Sequence, residues 1–473
     1  MDIDGADKQE EKPVKKAKVA AAQASASAES AAPYPDMALA QDIHRLTMIH
    51  AGKLSVDDAT SITGTKPEDL LERVMLRVGA GSSKPFDDVI KENEEKYKAI
   101  EKEEGKDVSK VEAKEKEEQV DDSEEPLLNP ELYRHLQSTL AYNSSSALSE
   151  DQLKTLAAHN ESILAILAEG VTKAKEEAGD MEVLHATMEI ARYQAKTGTK
   201  ESALAAYENV LALPKLSVGK KLDGHLEMAR VCSFWGDWRQ MKDVLEKAQK
   251  IIASGGDWDR RNRLKAYQSL SNILVREFEP ASKLLLGGIA TFSCTELCEY
   301  PEYIMYAIIT NLLFLKRTEL KKNIIDGSEV LQVAKEIPVV LKLANTLYEC
   351  DYKAYLHTIV DLQPHLVANR YLQPHSGYIL RELHVLAFQQ FLDSYQSVTL
   401  DSMAASFGVG TEFLDMQLSR FIAAGRLTAK IDKYGGVVET NRPDWKNARY
   451  QEMIQKGDLL LNRIQKLGRV VDL

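Results

Sequence analysis

Residues 397–442 read SVTLDSMAASFGVGTEFLDMQLSRFIAAGRLTAKIDKYGGVVETNR. Leu400, Met403, Ala404 and Phe407 share one side of a helical projection. Gly408-Val409-Gly410 turns the chain, and Thr411 is the expected N-cap of a second helix. Along that helix Phe413, Leu414, Leu418, Phe421 and Ile422 stand at i, i+1, i+5, i+8 and i+9, which predicts a single buried stripe. Gly425 closes the helix. Leu427–Lys433 and Val437–Thr440 then alternate around Tyr434-Gly435-Gly436, the pattern of a β-hairpin. Helix, turn, helix and hairpin are the outline of a winged helix.

A winged helix that reads a duplex aims Arg, Lys, Asn or Gln at base edges from a basic surround. Here residues 411–424 set Glu412 and Asp415 against a single Arg420, with only Arg426, Lys430 and Lys433 nearby. A protein-contact module fits better. After Arg442-Pro443 a last helix is expected to about residue 467. In it Tyr450, Met453, Gly457, Leu460, Ile464 and Leu467 are spaced 3, 4, 3, 4, 3, a heptad seam that wants a helical partner. That partner is either another chain or the helix's own domain.

Working back from the winged helix, helical periodicity is nearly continuous over 126–395. No alternating β-pattern precedes residue 427. Gly and Pro sit mostly at expected breaks: Pro214, Gly255-Gly256, Pro338 and Pro364. Self-similarity appears at 198–211 (GTKESALAAYENVL), 236–249 (GDWRQMKDVLEKAQ) and, more weakly, 276–289 (REFEPASKLLLGGI). Ala203 and Tyr207 in the first answer to Met241 and Leu245 in the second. In the third the counterparts are Ala281 and Leu285, with Phe278 before them. The period is slightly longer than the ~34 residues of a tetratricopeptide repeat. Glycine lets helix A end and turn, the small residue lets helix B approach its partner closely, and the aromatic or Leu fills the space between repeats. The fold class is therefore mostly α: a tetratricopeptide-like helical solenoid, a winged-helix module and a C-terminal helix.

The 473 residues carry a net charge of −12, which argues against general nucleic-acid affinity. The charge is concentrated. Residues 84–125 hold 9 Lys and 17 acidic residues, a balance of −8, and leave −4 for the rest. This stretch reads as an exposed charged helix or a linker. Residues 34–80 show helical patterning through Met37, Leu39, Ile43, Leu46, Leu70, Leu71 and Val74, and Gly79-Ala80-Gly81 breaks the chain. Residues 1–33, rich in Ala, Ser, Lys and Glu, are expected to be disordered. Pro13–Val19 within them reads as a nuclear import signal or a solvated basic tail. The chain thus divides at 1–33, 34–83, 84–125, 126–380 (repeat array), 381–443 (winged helix) and 444–473 (terminal assembly helix).

Chemistry is hard to place. Cys232, Cys294, Cys298 and Cys350 are too few for a disulfide scaffold, and a zinc site needs about four ligands. They read as reduced thiols. The ten histidines include no H-x-H or H-E-x-x-H pair. No Gly-x-Ser-x-Gly elbow or complete phosphate loop exists. No enzyme, metal or cofactor is expected. The N-terminus lacks a signal-peptide pattern, and the apolar run Tyr303–Leu315 is too short to cross a bilayer. The expected setting is cytoplasm and nucleus, with neither membrane nor nucleic acid as partner.

Repeats, winged helix and terminal helix together describe the PCI architecture, shared by subunits of the proteasome lid, the signalosome and a translation initiation factor. Ser254–Leu270 (SGGDWDRRNRLKAYQSL) and 407–427 (FGVGTEFLDMQLSRFIAAGRL) carry the resemblance further, with 437–444 (VVETNRPD) and 454–471 (IQKGDLLLNRIQKLGRVV). These stretches closely resemble the non-ATPase regulatory subunit 6 family of the 26S proteasome lid. The likeness covers roughly 185–473 well and 126–185 loosely. In the N-terminal third only Pro35–Ala40 is similar to the family's start, and 84–125 reads as an expanded insertion. The resemblance implies a non-catalytic scaffold in a complex that degrades ubiquitylated proteins. The implied partners are other PCI subunits of the lid, the lid helical bundle and the ATPase ring. The rival readings are a signalosome scaffold and a nucleic-acid-binding winged helix. Candidate interface residues are Tyr450, Met453, Leu460, Ile464 and Leu467 on the terminal helix, with Arg260, Arg261 and Arg263. Asp257 and Asp259 precede the arginines where acids favour a helix N-terminus, and the alternative reading of this cluster is an inter-repeat cap.

Overall fold

A computed structural model describes residues 34–79, 86–103, 126–140, 148–177, 179–214, 216–440 and 445–471. The N-terminal tail with Pro13–Val19, and residues 104–125 of the acidic stretch, lie outside the described residues. The chain forms two compact units, one made of residues up to 340 with 362–376, the other of 341–361 with 377–473.

The first unit opens with α1 (Met37–His50), α2 (Val56–Thr63) and α3 (Pro67–Val78). Asp36 caps α1 by accepting from the Ala38 amide at 2.8 Å, and Ser55 caps α2. Pro67 opens α3, where its missing N–H would have had no helical partner. Next come α4 (Phe86–Glu103) and α5 (Pro130–Thr139). Leu39, Leu46, Leu70, Val74, Met75 and Val78 form one core with Leu132, Tyr133 and Leu136 of α5. Half of the acidic stretch is thus a helix with a docked face. Phe86 and Val89 pack on Leu128 and Leu156, and Tyr97 meets Tyr193 edge-on at 5.2 Å.

The array follows as α6 (Glu150–Glu177), α7 (Asp180–Thr197), α8 (Lys200–Leu211), α9 (Val218–Phe234), α10 (Trp238–Ser254), α11 (Trp258–Val275), α12 (Phe278–Gly288) and α13 (Tyr300–Phe314). The three repeat registers fall on α8, α10 and α12. All their key side chains are buried: Ala203 and Tyr207, Met241 and Leu245, Ala281 and Leu285. The turns between paired helices differ from one another. Gly236 is left-handed at φ 75°, as expected of a turn glycine. Gly198 is extended, and is needed because a Cβ there would lie 2.7 Å from the Gln194 carbonyl oxygen. In the third register Arg276 itself adopts φ 70°.

Short helices α14 (Arg317–Leu320), continued by a π-helical turn Lys321–Ile325, and α15 (Ser328–Gln332) follow. Then come α16 (Pro338–Glu349) and α17 (Tyr352–Ala368). Pro338 starts a helix as expected, but Pro364 does not mark a break: it sits inside α17. Residues 367–371 return to the first unit and tie its parts together. Arg370 Nη2 donates to the carbonyls of Ser233 and Phe234 (2.7 Å to the latter), capping the C-terminus of α9. The same guanidinium lies 5.2 Å from the Trp238 ring centroid. Asn369 donates to the Tyr306 hydroxyl at 2.7 Å, and Gln41 of α1 donates to the Ala368 carbonyl at 3.2 Å.

In the second unit, α18 (Ser376–Leu392) precedes β1 (Ser397–Thr399), α19 (Leu400–Phe407), α20 (Thr411–Ala423), β2 (Ala429–Asp432), β3 (Val437–Thr440) and α21 (Trp445–Val471). The strands form one antiparallel sheet in the order β1-β3-β2, with Val398 and Ile431 both opposite Val438. Strand β1 is an addition to the expected hairpin. The core is aromatic: Phe407 lies 4.9 Å from Tyr352, 5.0 Å from Phe388 and 5.4 Å from Phe391 between ring centroids.

His44 of α1 donates through Nε2 to the Val367 carbonyl at 3.3 Å. Burial lowers its pKa from 6.5 to about 4; Arg370, Arg45 and Lys53 add to this, and the hydrogen bond opposes it. The unfolded chain therefore takes up this proton first as pH falls. The neutral imidazole's contribution to stability is complete above pH 6.5 and declines as pH falls towards about 4. His44→Gln is expected to flatten the pH dependence of chemical denaturation across that window. Superimposable profiles for the two proteins would show that His44 does not couple to folding.

Candidate assembly surfaces

The arginine cluster of α11 is built from the repeat stacking. Asp257 caps the helix by accepting from the Trp258 amide at 2.7 Å, and Asp259, in the first turn, accepts from Ser293 Oγ at 2.9 Å. Arg260 makes a two-pronged pair with Asp223 of α9 through Nε at 2.9 Å and Nη2 at 2.8 Å. Arg263 places Nε and Nη2 at 3.0 and 2.8 Å from one oxygen of Glu296. These pairs belong to a series. Lys200–Asp237 and Asp223–Arg260 each span 37 residues, Arg192–Glu227 spans 35 and Arg263–Glu296 spans 33. Each span is about one repeat, so each pair ties a helical hairpin to the next. Arg260 and Arg263 are thus turned into the array, and Arg261 is exposed. Trp258 stands beside it on the same turn, 63% exposed.

Three of the four thiols are buried. Burial pushes Cys232 up to about 11, and raises Cys294 and Cys298 well above the usual thiol range. Among the described residues no three His, Cys, Asp or Glu side chains are grouped to hold a metal ion. Among them also, no helix is long and apolar enough to cross a membrane.

In the winged helix, Met403, Ala404 and Phe407 of α19 and Leu414, Leu418 and Phe421 of α20 are buried. Leu400 and Ile422 are half-buried. Two details differ from expectation. Gly410, not Thr411, occupies the N-cap of α20, with no side-chain cap bond. Phe413 leaves the stripe and is 41% exposed, next to Met416 at 51%. Residues 413 and 414 lie about 100° apart on a helix; Leu414 takes the core side and Phe413 falls at the exposed margin of the stripe. Gly408 and Gly425 take left-handed conformations at the two helix ends as expected. Two of the nearby cations are used within the unit: Lys433 pairs with Asp415 at 3.4 Å and Arg426 pairs with Glu382. The outward face of α20 therefore carries Phe413 and Met416 among Glu412, Asp415 and Arg420, without the cluster of cations that phosphates would need. Tyr434, at the wing tip, is fully exposed.

Helix α21 presents its whole described surface to solvent apart from Glu452, which is half-buried. Tyr450, Met453, Leu460, Ile464 and Leu467 are all exposed, Leu460 to 60% and Leu467 to 64%. Ile454 and Leu461, one residue on from Met453 and Leu460, are exposed too. Sequence reasoning passed over this second row. Its seven-residue recurrence was the available signal. Trp258, Phe413 and Met416 were also passed over as surface residues.

A helical array, a three-stranded winged helix and a free-standing terminal helix define a PCI-domain assembly subunit. A PCI domain model matches residues 352–442. Models described as 26S proteasome subunit RPN7 and as the RPN7/PSMD6 C-terminal helix match residues 149–323 and 449–471. The chain is 41% identical over 338 residues to the 26S proteasome non-ATPase regulatory subunit 6 homolog of Arabidopsis thaliana, covering 72% of this chain and 87% of that one. It is 39% identical over 341 residues to the subunit 6 of Dictyostelium discoideum, covering 72% and 88%. It is 35% identical over 373 residues to the regulatory subunit RPN7 of Saccharomyces cerevisiae, covering 76% and 87%. The chain belongs to the 26S proteasome non-ATPase regulatory subunit 6 (RPN7) family. These relationships favour neither the signalosome nor the nucleic-acid reading.

The inward geometry of Arg260 makes a stability prediction. A double-mutant cycle with Asp223→Asn and Arg260→Ala in the free chain should give a coupling of about 1–2 kcal/mol in denaturant unfolding. Zero coupling in the free chain would mean that Arg260 is held for a partner instead of for the neighbouring hairpin.

Proposed function

We propose that this chain is a non-catalytic scaffold of the proteasome regulatory lid, holding neighbouring subunits in place for the degradation of ubiquitylated proteins. The reading is supported by family membership and by one structural observation above others: the exposed apolar seam of α21. Tyr450, Met453, Leu460, Ile464 and Leu467 form the contact with a bundle of lid helices. The winged helix adds its sheet and the Phe413–Met416 face to neighbouring PCI subunits. Arg261, with Trp258, is the outward part of the arginine cluster and meets a further neighbour or the ATPase ring. Arg260 and Arg263 act behind it, setting the register of the array. The protein works in cytoplasm and nucleus, where its complex operates.

Exposure costs the free chain little in folding and leaves large apolar area to be covered, at about 25 cal/mol per Å². Deleting residues 446–473 should therefore leave the melting profile of the rest of the chain unchanged and abolish incorporation into the lid. Co-expression with the other lid subunits and native gel analysis reads both. Normal incorporation of the truncated chain would refute the role given to the helix.

A further inference from the structure

The edges of the α21 seam say what kind of helix covers it. Taking Tyr450, Gly457, Ile464 and Val471 as a positions puts Met453, Leu460 and Leu467 at d. The e positions are then Ile454, Leu461 and Gly468, and the g positions Arg449, Lys456 and Arg463. One flank of the seam is apolar or small and the other uniformly basic. All three cations are exposed, Arg449 to 62% and Lys456 to 72% in their side chains. Glu452, one turn away, draws on two of them, pairing with Arg449 at 2.9 Å and Lys456 at 2.6 Å. Those contacts lower the Glu452 pKa and leave the row net positive.

Apolar residues at a, d and e make a face too wide for a two-stranded coil and suited to the core of a bundle. A second copy of this chain is a poor occupant. Paired antiparallel, the two g rows would face each other cation to cation. Paired parallel, each g cation would lie over an apolar e residue and meet no opposite charge. An acidic row on the facing helix meets neither obstacle.

We infer that the basic row Arg449–Lys456–Arg463 selects a partner helix from another chain that carries acidic residues along the facing edge, and excludes self-pairing of α21. The inference rests on the assembly role proposed for this helix and adds the charge of its partner. The geometry calls for positive charge at these positions, not for a guanidinium as such, since the row already mixes Arg and Lys.

Three full-length variants test it in co-expression with the lid subunits, with incorporation measured by quantitative pull-down. Arg449→Glu/Lys456→Glu/Arg463→Glu should lower incorporation by more than about tenfold, because like charges would then oppose each other across the interface. Arg449→Lys/Lys456→Arg/Arg463→Lys should incorporate as the unaltered chain does. Leu460→Ala/Ile464→Ala should lose incorporation through the seam itself. Circular dichroism melting of each free chain should be unchanged, because the altered side chains are exposed. Loss with the seam variant but normal incorporation of the charge-reversed chain would overturn the inference and leave the assembly role standing. Normal incorporation of the seam variant would remove both. Sedimentation equilibrium of the unaltered chain at low salt should show a monomer; a dimer lost on deleting 446–473 would also contradict the inference.

Discussion

A pair of antiparallel helices cannot bury its apolar faces on its own, and the larger part of this chain is arranged around that constraint. Each hairpin of the array covers the last, with Tyr207, Leu245 and Leu285 filling successive gaps. Stacking alone would leave the hairpins free to slide. The pairs one repeat apart, from Arg192–Glu227 to Arg263–Glu296, oppose that sliding, most of all the two-pronged Arg260–Asp223 contact, which tolerates little displacement. Where the series meets the N-terminal helices, Arg370 closes the end of α9 and residues 367–371 reach α1. The result is a framework in which Arg260, Arg263 and Arg370 are spent within the chain.

Other large or charged groups are not spent in this way. Trp258 and Arg261 on one turn, Phe413 and Met416 on the winged helix, and most of α21 are large or charged groups facing outward. Proteins seldom expose large apolar groups in continuous rows, as α21 does, without covering them in an assembly. The winged helix illustrates the choice. Its core is that of a DNA-reading module, built around Phe407 and Phe421, but its outer helix carries Glu412 and Asp415, and Lys433 is turned onto Asp415. The same scaffold carries a mixed apolar and charged outer surface in place of a basic one.

Much of this was legible in the residues. The repeats showed because small, aromatic and leucine positions recur in register, and the winged helix showed because two left-handed glycines punctuate it. The misses share a cause: they depend on one or two contacts that pattern does not reveal. Strand β1 rests on the single buried Val398 and its pairing with Val438. Helix α4 is docked by Phe86, Val89 and Tyr97 within a run of charges. Pro364 reads as a break, yet it lies within α17. For the interface, the a and d rows of α21 were plain, and the arginine cluster read as either a subunit contact or an inter-repeat cap, while its partners, Asp223 and Glu296, lie a repeat away and were not legible.

The central claim is that these surfaces make the chain a fixed member of the proteasome lid. The most direct measurement is affinity purification of the tagged full-length chain at physiological salt, followed by quantitative mass spectrometry. The account predicts recovery of the lid and ATPase-ring subunits of the regulatory particle in near-equal amounts with the bait. Recovery of a signalosome set instead, or of the chain alone, would contradict it.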